Sequence, residues 1–389
     1  MKPAQIKISA VYMRGGTSKG MFFHRHDLPS DPALRDKTLL RLMGSPDPYA
    51  KQIDGMGGAT SSTSKVVIIN PSERCDCDID YLCGHVSINH PLIDYSGNCG
   101  NLTAAAAHFA VEEGLTTQPN WQVDEPYDVT VNIWQSNTQK KIIATVPCLN
   151  GLPYVNGSYS VAGVGFSGTK MELSFLEPAG AGTQGGVLPL NEEITILSMG
   201  NEQIEVSLID AGNPTIFVRA ADLGLAGTEE PSALNHRVDF LQRLETIRAH
   251  ASVLMGLAND LEQATFDRPA TPKIAFVAPP RKYITSDNRE IQADEVDILA
   301  RILSMGKLHH GFTGTGAISL AAAANIEGTV VHQMLVNSMQ KIRIGHVAGI
   351  MDVSAQVSKQ NNQWTVDSVT MNRSARRLME GQVLVPNAE

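Results

Sequence analysis

Cys99 and Lys65 are the residues whose neighbours best equip them for chemistry. Cys99 stands in Ser96-Gly97-Asn98-Cys99-Gly100-Asn101, directly before Leu102-Thr103-Ala104-Ala105-Ala106-Ala107. That order predicts a glycine loop opening an alanine-rich helix, with the thiol at or just before the helix N-terminus. The helix dipole and the free N–H groups of the first turn stabilise a thiolate there. Such a thiolate suits proton transfer or nucleophilic attack. The competing reading is an inert buried thiol, the usual state of a free cysteine. It is preferred for Cys148, which follows Pro147 on an apparent strand. Lys65 ends the charge-free run Gly55-Met56-Gly57-Gly58-Ala59-Thr60-Ser61-Ser62-Thr63-Ser64 and precedes Val66-Val67-Ile68-Ile69. A lysine there enters a partly buried site, where desolvation makes it a usable base. The plain alternative is a surface lysine at a strand edge.

A second glycine loop echoes the first. Gly311-Phe312-Thr313-Gly314-Thr315-Gly316 runs into Ala317-Ile318-Ser319-Leu320-Ala321-Ala322-Ala323-Ala324. Two helix N-termini facing one cleft make a two-sided anion site. Two independent buried helices with ordinary loops is the other reading.

Several motifs fail a closer test. Arg14-Gly15-Gly16-Thr17-Ser18-Lys19-Gly20 lacks the spacing of a Walker loop, although an anion-binding turn remains open. No dinucleotide-binding glycine pattern joins an early strand to a helix. Cys75, Cys77, Cys83 and His85 do not have the paired spacing of common zinc sites, so no metal is expected. His309 and His310 are adjacent and cannot share one helix face. One could touch substrate; the other reading is a pair at a helix end. Arg373-Ser374-Ala375-Arg376-Arg377 reads as a solvated helix face, with one arginine as a candidate carboxylate anchor.

The elements that position these residues follow from pattern. Gln5–Met13 alternates as a strand, and Met21-Phe22-Phe23 returns. Residues 31–43 have helical spacing, 66–69 form a buried strand and 127–146 a hairpin. Gly180–Gly186 is the expected crossing between domains. Beyond it come strands at 204–209 and 216–218 with a turn at Asn213-Pro214, a helix over 238–257, a strand at 274–278, and a helix over 294–305 with acids in its first turn. The 389 residues, 42% hydrophobic and 18% charged, are globular in composition and suffice for two cores. A net charge of −9, no basic block and 5% aromatics argue against a nucleic-acid or membrane-surface partner. Five cysteines, an odd number, and no signal-peptide pattern at Met1–Ala10 lead us to expect reduced thiols in a cytoplasm.

Longer motifs carry a resemblance. Tyr12–Gly20, Gly44–Gly58, Ser61–Lys65 and Ser96–Asn101 resemble the PrpF family, as do Thr271–Val277, Met305–His310 and Arg373–Gly381. The type member isomerises 2-methyl-trans-aconitate to its cis form during propionate breakdown. The family is similar to diaminopimelate epimerase. The resemblance implies an α+β fold of two similar halves, each a curled, mostly antiparallel sheet around a central helix, with the active site in the cleft between them. The halves are expected at 1–184, completed by 375–389, and at 185–374. In the epimerases each half supplies a catalytic cysteine; here Cys99 matches the first and Thr313 replaces the second. The implied catalytic residues are Lys65, as principal base, and Cys99. The implied substrate contacts are Thr17, Ser18, Ser64, Asn98, Gly100, Asn101, Lys307, His310, Gly314 and Thr315. No cofactor is required. A tricarboxylate substrate, a functional link to an aconitase-like methylcitrate dehydratase, and room for a homodimer complete the expectation. Related activities on 4-oxalomesaconate and methylitaconate are the alternatives. A non-catalytic accessory role beside the dehydratase is the alternative of another class, and a redox sensor built on Cys75, Cys77 and Cys83 has the least support.

Overall fold

A computed structural model of the chain describes residues 4–116, 124–183, 185–336 and 340–386. Gln184, the expected end of the first half, and residues 387–389 lie outside them. The chain starts with strands β1 (Gln5–Gly15) and β2 (Ser18–His24), helix α1 (Pro32–Met43), β3 (Lys65–Pro71), β4 (Ile79–Val86) and β5 (Ile93–Asp94). Helix α2 (Gly100–Glu112) leads to β6 (Tyr127–Gln135), β7 (Lys140–Leu149), β8 (Leu152–Pro153) and β9 (Met171–Leu176). Then come β10 (Thr195–Met199), β11 (Glu202–Ala211), β12 (Asn213–Arg219), α3 (Pro231–Leu234), α4 (Val238–Leu254), α5 (Leu261–Phe266) and β13 (Lys273–Ala278). After the small hairpin β14 (Tyr283–Ile284) and β15 (Glu290–Ile291) follow β16 (Ile298–Ser304), β17 (Lys307–Leu308), α6 (Gly314–Ala324), α7 (Val330–Met334), β18 (Lys341–His346), β19 (Gly349–Gln360), β20 (Gln363–Arg373) and β21 (Ala375–Pro386).

Strand pairing repeats across the chain. In the first half β1–β2 is antiparallel, β2–β3 parallel, β3–β4 antiparallel, β4–β6 parallel and β6–β7 antiparallel. In the second half β11–β12, β12–β13, β13–β16, β16–β18 and β18–β19 repeat that alternation. Each half places its buried helix, α2 or α6, inside the crossover between its two later parallel strands. β20 joins the halves, pairing β9 on one side and β19 on the other. β21 returns to pair with β1.

Both central helices are buried on every side, from Gly100 to Val111 and from Gly314 to Ala324. Their alanines let the curled sheets close around them without voids. An α+β fold of two similar halves around central helices is therefore what the chain forms.

Some expected elements differ. Residues 298–304 are a strand, not a helix: every residue is buried, and β16 is paired by β13 and β18. A short apolar run carries no period that separates helix from strand, so the neighbours decide. The acids Asp294 and Glu295 lie in a short 3-10 turn before it. Asn213 and Pro214 open β12, with Gly212 at φ 70° making the turn. Arg373–Arg377 is not a solvated helix face; it is the β20–β21 junction, and Arg373 is buried. His309 and His310 follow β17 and not a helix.

Candidate active site

The two helix N-termini meet. A side chain added at Gly100 would come within 3.1 Å of the Gly314 carbonyl carbon, and one at Gly314 within 3.1 Å of the Asn101 nitrogen. Only glycine allows this backbone approach. Cys99 is the cap residue of α2 and Thr313 that of α6. The Thr313 hydroxyl accepts from the Gly316 N–H at 3.1 Å, as helix-capping threonines do. Cys99 makes no such oxygen cap.

Its sulfur faces Lys65. Nζ of Lys65 lies 3.1 Å from Cys99 Sγ and 3.3 Å from Ser18 Oγ; both Lys65 and Cys99 are 5% exposed. Lys65 is the first residue of β3, so a strand and a helix terminus hold the pair rigidly. Burial pushes the Cys99 thiol up. A hydrogen bond from Cys83, the charge of Lys65 and the Leu102 N–H outweigh it and hold the thiol well below its ordinary value. The Cys83 thiol moves the other way, raised first by that same hydrogen bond and then by burial. Tyr81 donates to the Cys99 carbonyl at 3.2 Å and fixes its backbone. The site is a buried junction where the Lys65 nitrogen meets a thiol whose proton is held loosely.

The expected substrate contacts divide. Ser18 is part of the pair's surroundings. Asn101 donates to Thr17 Oγ1 at 3.0 Å, leaving that hydroxyl's own proton to give. His310 stacks on His309 with ring centroids 4.4 Å apart; burial and then Lys65 lower its basicity. Thr315 and Asn98 are tied together by Asn213, described below. The Ser64 hydroxyl points elsewhere, donating to Gln52 Oε1 at 2.5 Å. Lys307 is exposed on β17, its Nζ 3.4 Å from the Asn235 carbonyl, and is not brought to the pair.

Four residues around the pair had no strong signal in the sequence. Asn213, at 0% exposure, crosses between the halves: its Oδ1 accepts from Asn98 N at 2.9 Å, and its Nδ2 donates to Asn98 O at 3.0 Å and Thr315 Oγ1 at 3.1 Å. Arg373 donates to Asn101 Oδ1 at 2.9 Å and thereby sets the amide that holds Thr17. Burial lowers its guanidinium to about 10. Gln52 pins the hydroxyl loop through Ser45, Ala59 and Ser64. Lys273, 3% exposed, opens β13 beside the pair.

His85 sits directly across from Lys65 in the β3–β4 register. Burial, then the charges of Lys65 and Lys273, push it well below its ordinary value. Burial and then His310 do the same to His309. Burial and then Arg301 lower His346 to about 3. Acid should therefore destabilise the fold. Unfolded, each of the three accepts a proton near pH 6.5; folded, each stays neutral until far lower. Their contribution is complete above the unfolded value and is lost as pH falls from there towards the folded ones. Stability should drop by about 3 kcal/mol between pH 6.5 and 5.5, about 1 for each histidine. Urea unfolding at the two pH values checks this, and equal stability would contradict it.

A cavity of about 310 Å³ lies at the opposite end of α2, among Phe22, His24, Phe109 and Arg377. It is not the site, because Arg377 there is already held by Glu112, Glu113 and Glu380.

Comparison with known proteins gives the family. A family model described as PrpF protein matches residues 5–386. The chain belongs to the PrpF family. A relative from Shewanella oneidensis named 2-methyl-aconitate isomerase is 47% identical, over 99% of this chain and 98% of that one. A solved methylitaconate-delta-isomerase shares the fold with TM-score 0.76 at 38% identity, covering 99% of this chain and 97% of that one. A hydroxyproline epimerase from Agrobacterium vitis matches at TM-score 0.54 and 12% identity, over 98% and 93% of the two chains, a likeness of fold alone. The PrpF chain thus has the diaminopimelate epimerase-like fold. Among its described residues no helix is long and apolar enough to cross a membrane.

Proposed function

We propose that this protein is an isomerase that converts 2-methyl-trans-aconitate to 2-methyl-cis-aconitate by removing and returning an allylic proton. The observation that carries it is the Lys65–Cys99 pair, 3.1 Å apart where two helix N-termini meet, in a PrpF chain.

The chemistry balances on the pair. The pair can hold its shared proton as thiolate beside ammonium or as thiol beside amine. An allylic proton taken by the Lys65 amine of the second form, or by the Cys99 thiolate of the first, leaves the same state: thiol beside ammonium. The C–H electron pair delocalises over the neighbouring double bond and its carboxylates. The former double bond becomes single and rotates. A proton from the pair, whose N–H and S–H positions exchange with solvent, returns to the original carbon, and the cis isomer leaves with no net gain or loss. The N–H groups at the starts of α2 and α6 stabilise the developing charge, as do the Thr17 and Ser18 hydroxyls. The proposed step uses side chains and backbone only, without metal or organic cofactor.

Thr313 supports an isomerase over a two-thiol epimerase, because the cap position of α6 carries a hydroxyl, which is far less acidic than the thiol at the cap of α2. We also take residues 1–184 with 375–389 as one half and 185–374 as the other, supported by β21 pairing with β1. A cytoplasmic setting in propionate catabolism, a link to an aconitase-like dehydratase and a homodimer belong to the same proposal. The five free cysteines support the first of these.

The test is a substrate panel on purified protein. We expect kcat/KM for 2-methyl-trans-aconitate to exceed that for methylitaconate and 4-oxalomesaconate by at least about tenfold, the discrimination a misplaced methyl or carboxylate supplies. A preference for either alternative would reassign the substrate.

A further inference from the structure

The repeat in strand pairing matches Lys65 with Lys273. Lys65 opens β3, which runs parallel to β2 and antiparallel to β4. Lys273 opens β13, which runs parallel to β12 and antiparallel to β16. The cap residues of the central helices correspond in the same way, Cys99 with Thr313. In the first half the lysine has an anionic partner, the thiolate 3.1 Å away. The second half has the lysine and lacks the thiolate.

Lys273 is accordingly a buried ammonium with little to hold it. Among the described residues its one hydrogen bond goes to the Ala270 carbonyl at 3.1 Å, although an ammonium carries three N–H donors. No ion pair within 4 Å is formed by it among those residues. Buried, unpaired charges cost several kcal/mol and persist where a ligand completes them. The neighbouring His85 is also 3% exposed.

We propose that Lys273 binds a carboxylate of the substrate, in the place that the repeat gives to the thiolate in the first half. This rests on the reading of the cleft as a polycarboxylate site. The substrate is then held between like-folded halves, with the Lys65–Cys99 pair on one side and a carboxylate-filled lysine on the other. Removing the second thiol thereby converts a proton-transfer position into an anchor. Lys65 and Arg248 oppose the Lys273 charge, Cys99 and Asp94 favour it, and His85 stays neutral beside it. Burial and then Lys65 lower the ammonium to about 8, so it remains largely charged at neutral pH. A bound carboxylate holds that proton in place.

Tricarballylate, a saturated tricarboxylate without an allylic double bond, is the probe. Its binding to wild type, Lys273→Met and Lys273→Arg is measured by calorimetry, with the melting temperature of each free protein. Lys273→Met should bind it about tenfold to a hundredfold more weakly while melting no lower than wild type, because an uncompensated buried charge is gone. Lys273→Arg should recover part of the affinity. Wild-type affinity should fall above about pH 8, and Lys273→Met should lack that fall. Undiminished binding by Lys273→Met would overturn the proposal. So would a lowered melting temperature with wild-type pH dependence in Lys273→Arg, which marks a structural lysine. If Lys273→Met fails to fold, Lys273→Arg and the wild-type pH limb still decide. Wild type that binds tricarballylate but does not isomerise 2-methyl-trans-aconitate keeps this anchor and sinks the proposed function. Wild type that isomerises without needing Lys273 for binding does the reverse.

Discussion

Lys65→Ala is expected to lower kcat by about 10²- to 10⁴-fold, the range for loss of a positioned acid–base group, and to abolish solvent exchange of the substrate's allylic proton. Two effects combine. The variant loses the nitrogen that shares a proton with Cys99 Sγ at 3.1 Å. It also loses the cation that holds the Cys99 thiol down, leaving the sulfur 5% exposed with burial pushing it up. The hydrogen bonds from Cys83 and Leu102 remain, but without the cation the thiol holds its proton more tightly and is a poorer substitute base. Cys99→Ser should be milder than Lys65→Ala, because the lysine survives as a base. A single-turnover assay with wild type, Lys65→Ala and Cys99→Ser orders the three. Retained exchange in Lys65→Ala would show that another group takes the proton.

Asn213→Ala should be the most damaging change among the residues that touch neither the pair nor the cap sulfur. Its amide satisfies both backbone groups of Asn98 and the Thr315 hydroxyl, at 0% exposure. Truncation leaves a buried N–H and a buried carbonyl without partners. At about 1–3 kcal/mol for each unsatisfied group, the cost is about 2–6 kcal/mol of stability. Asn98 immediately precedes Cys99, so the sulfur shifts with it. A displacement of about 1 Å at the reacting centre is worth a hundredfold in rate. Chemical denaturation together with steady-state kinetics reads both effects. A stability loss under about 1 kcal/mol would mean that the halves are not stapled through this side chain.

The first half of the site was legible because its signals are local. A thiol followed by glycine and an alanine run announces a helix cap, and an isolated lysine after five hydroxyl residues announces a special place. The second half was not, because its signals lie in register. Lys273 precedes an ordinary apolar strand, and only the parallel pairing of β12 with β13 shows it as the counterpart of Lys65. Asn213-Pro214 reads as a turn by composition, yet Gly212 takes the left-handed conformation and frees Asn213 to open a strand. Arg373 sits in a basic cluster that composition assigns to solvent. Arg373 ends β20 on the buried face it shares with Met371 and reaches Asn101, while Arg376 lies past the junction on β21 and is exposed. Lys307 shows the converse: a charged residue inside a matching motif lies on the surface, away from the pair. Ser64 shows the finer limit. Its position beside Lys65 was evident, but its hydroxyl direction depends on Gln52, twelve residues earlier.

The fold was legible for a related reason. Two glycine loops opening alanine helices are the visible trace of a duplicated unit, and the strand pairing repeats around them. Residues 298–304 escaped because a strand buried on both faces has no alternation to read.

The central claim is an allylic proton transfer on a branched tricarboxylate, and proton NMR in deuterated water tests it most directly. Folded protein is mixed with 2-methyl-trans-aconitate, and isomer signals and label uptake are followed together. The expected result is conversion to the cis isomer with deuterium entering the allylic position, in wild type and not in Lys65→Ala. Conversion without any label entering that position, or neither conversion nor exchange, would contradict it.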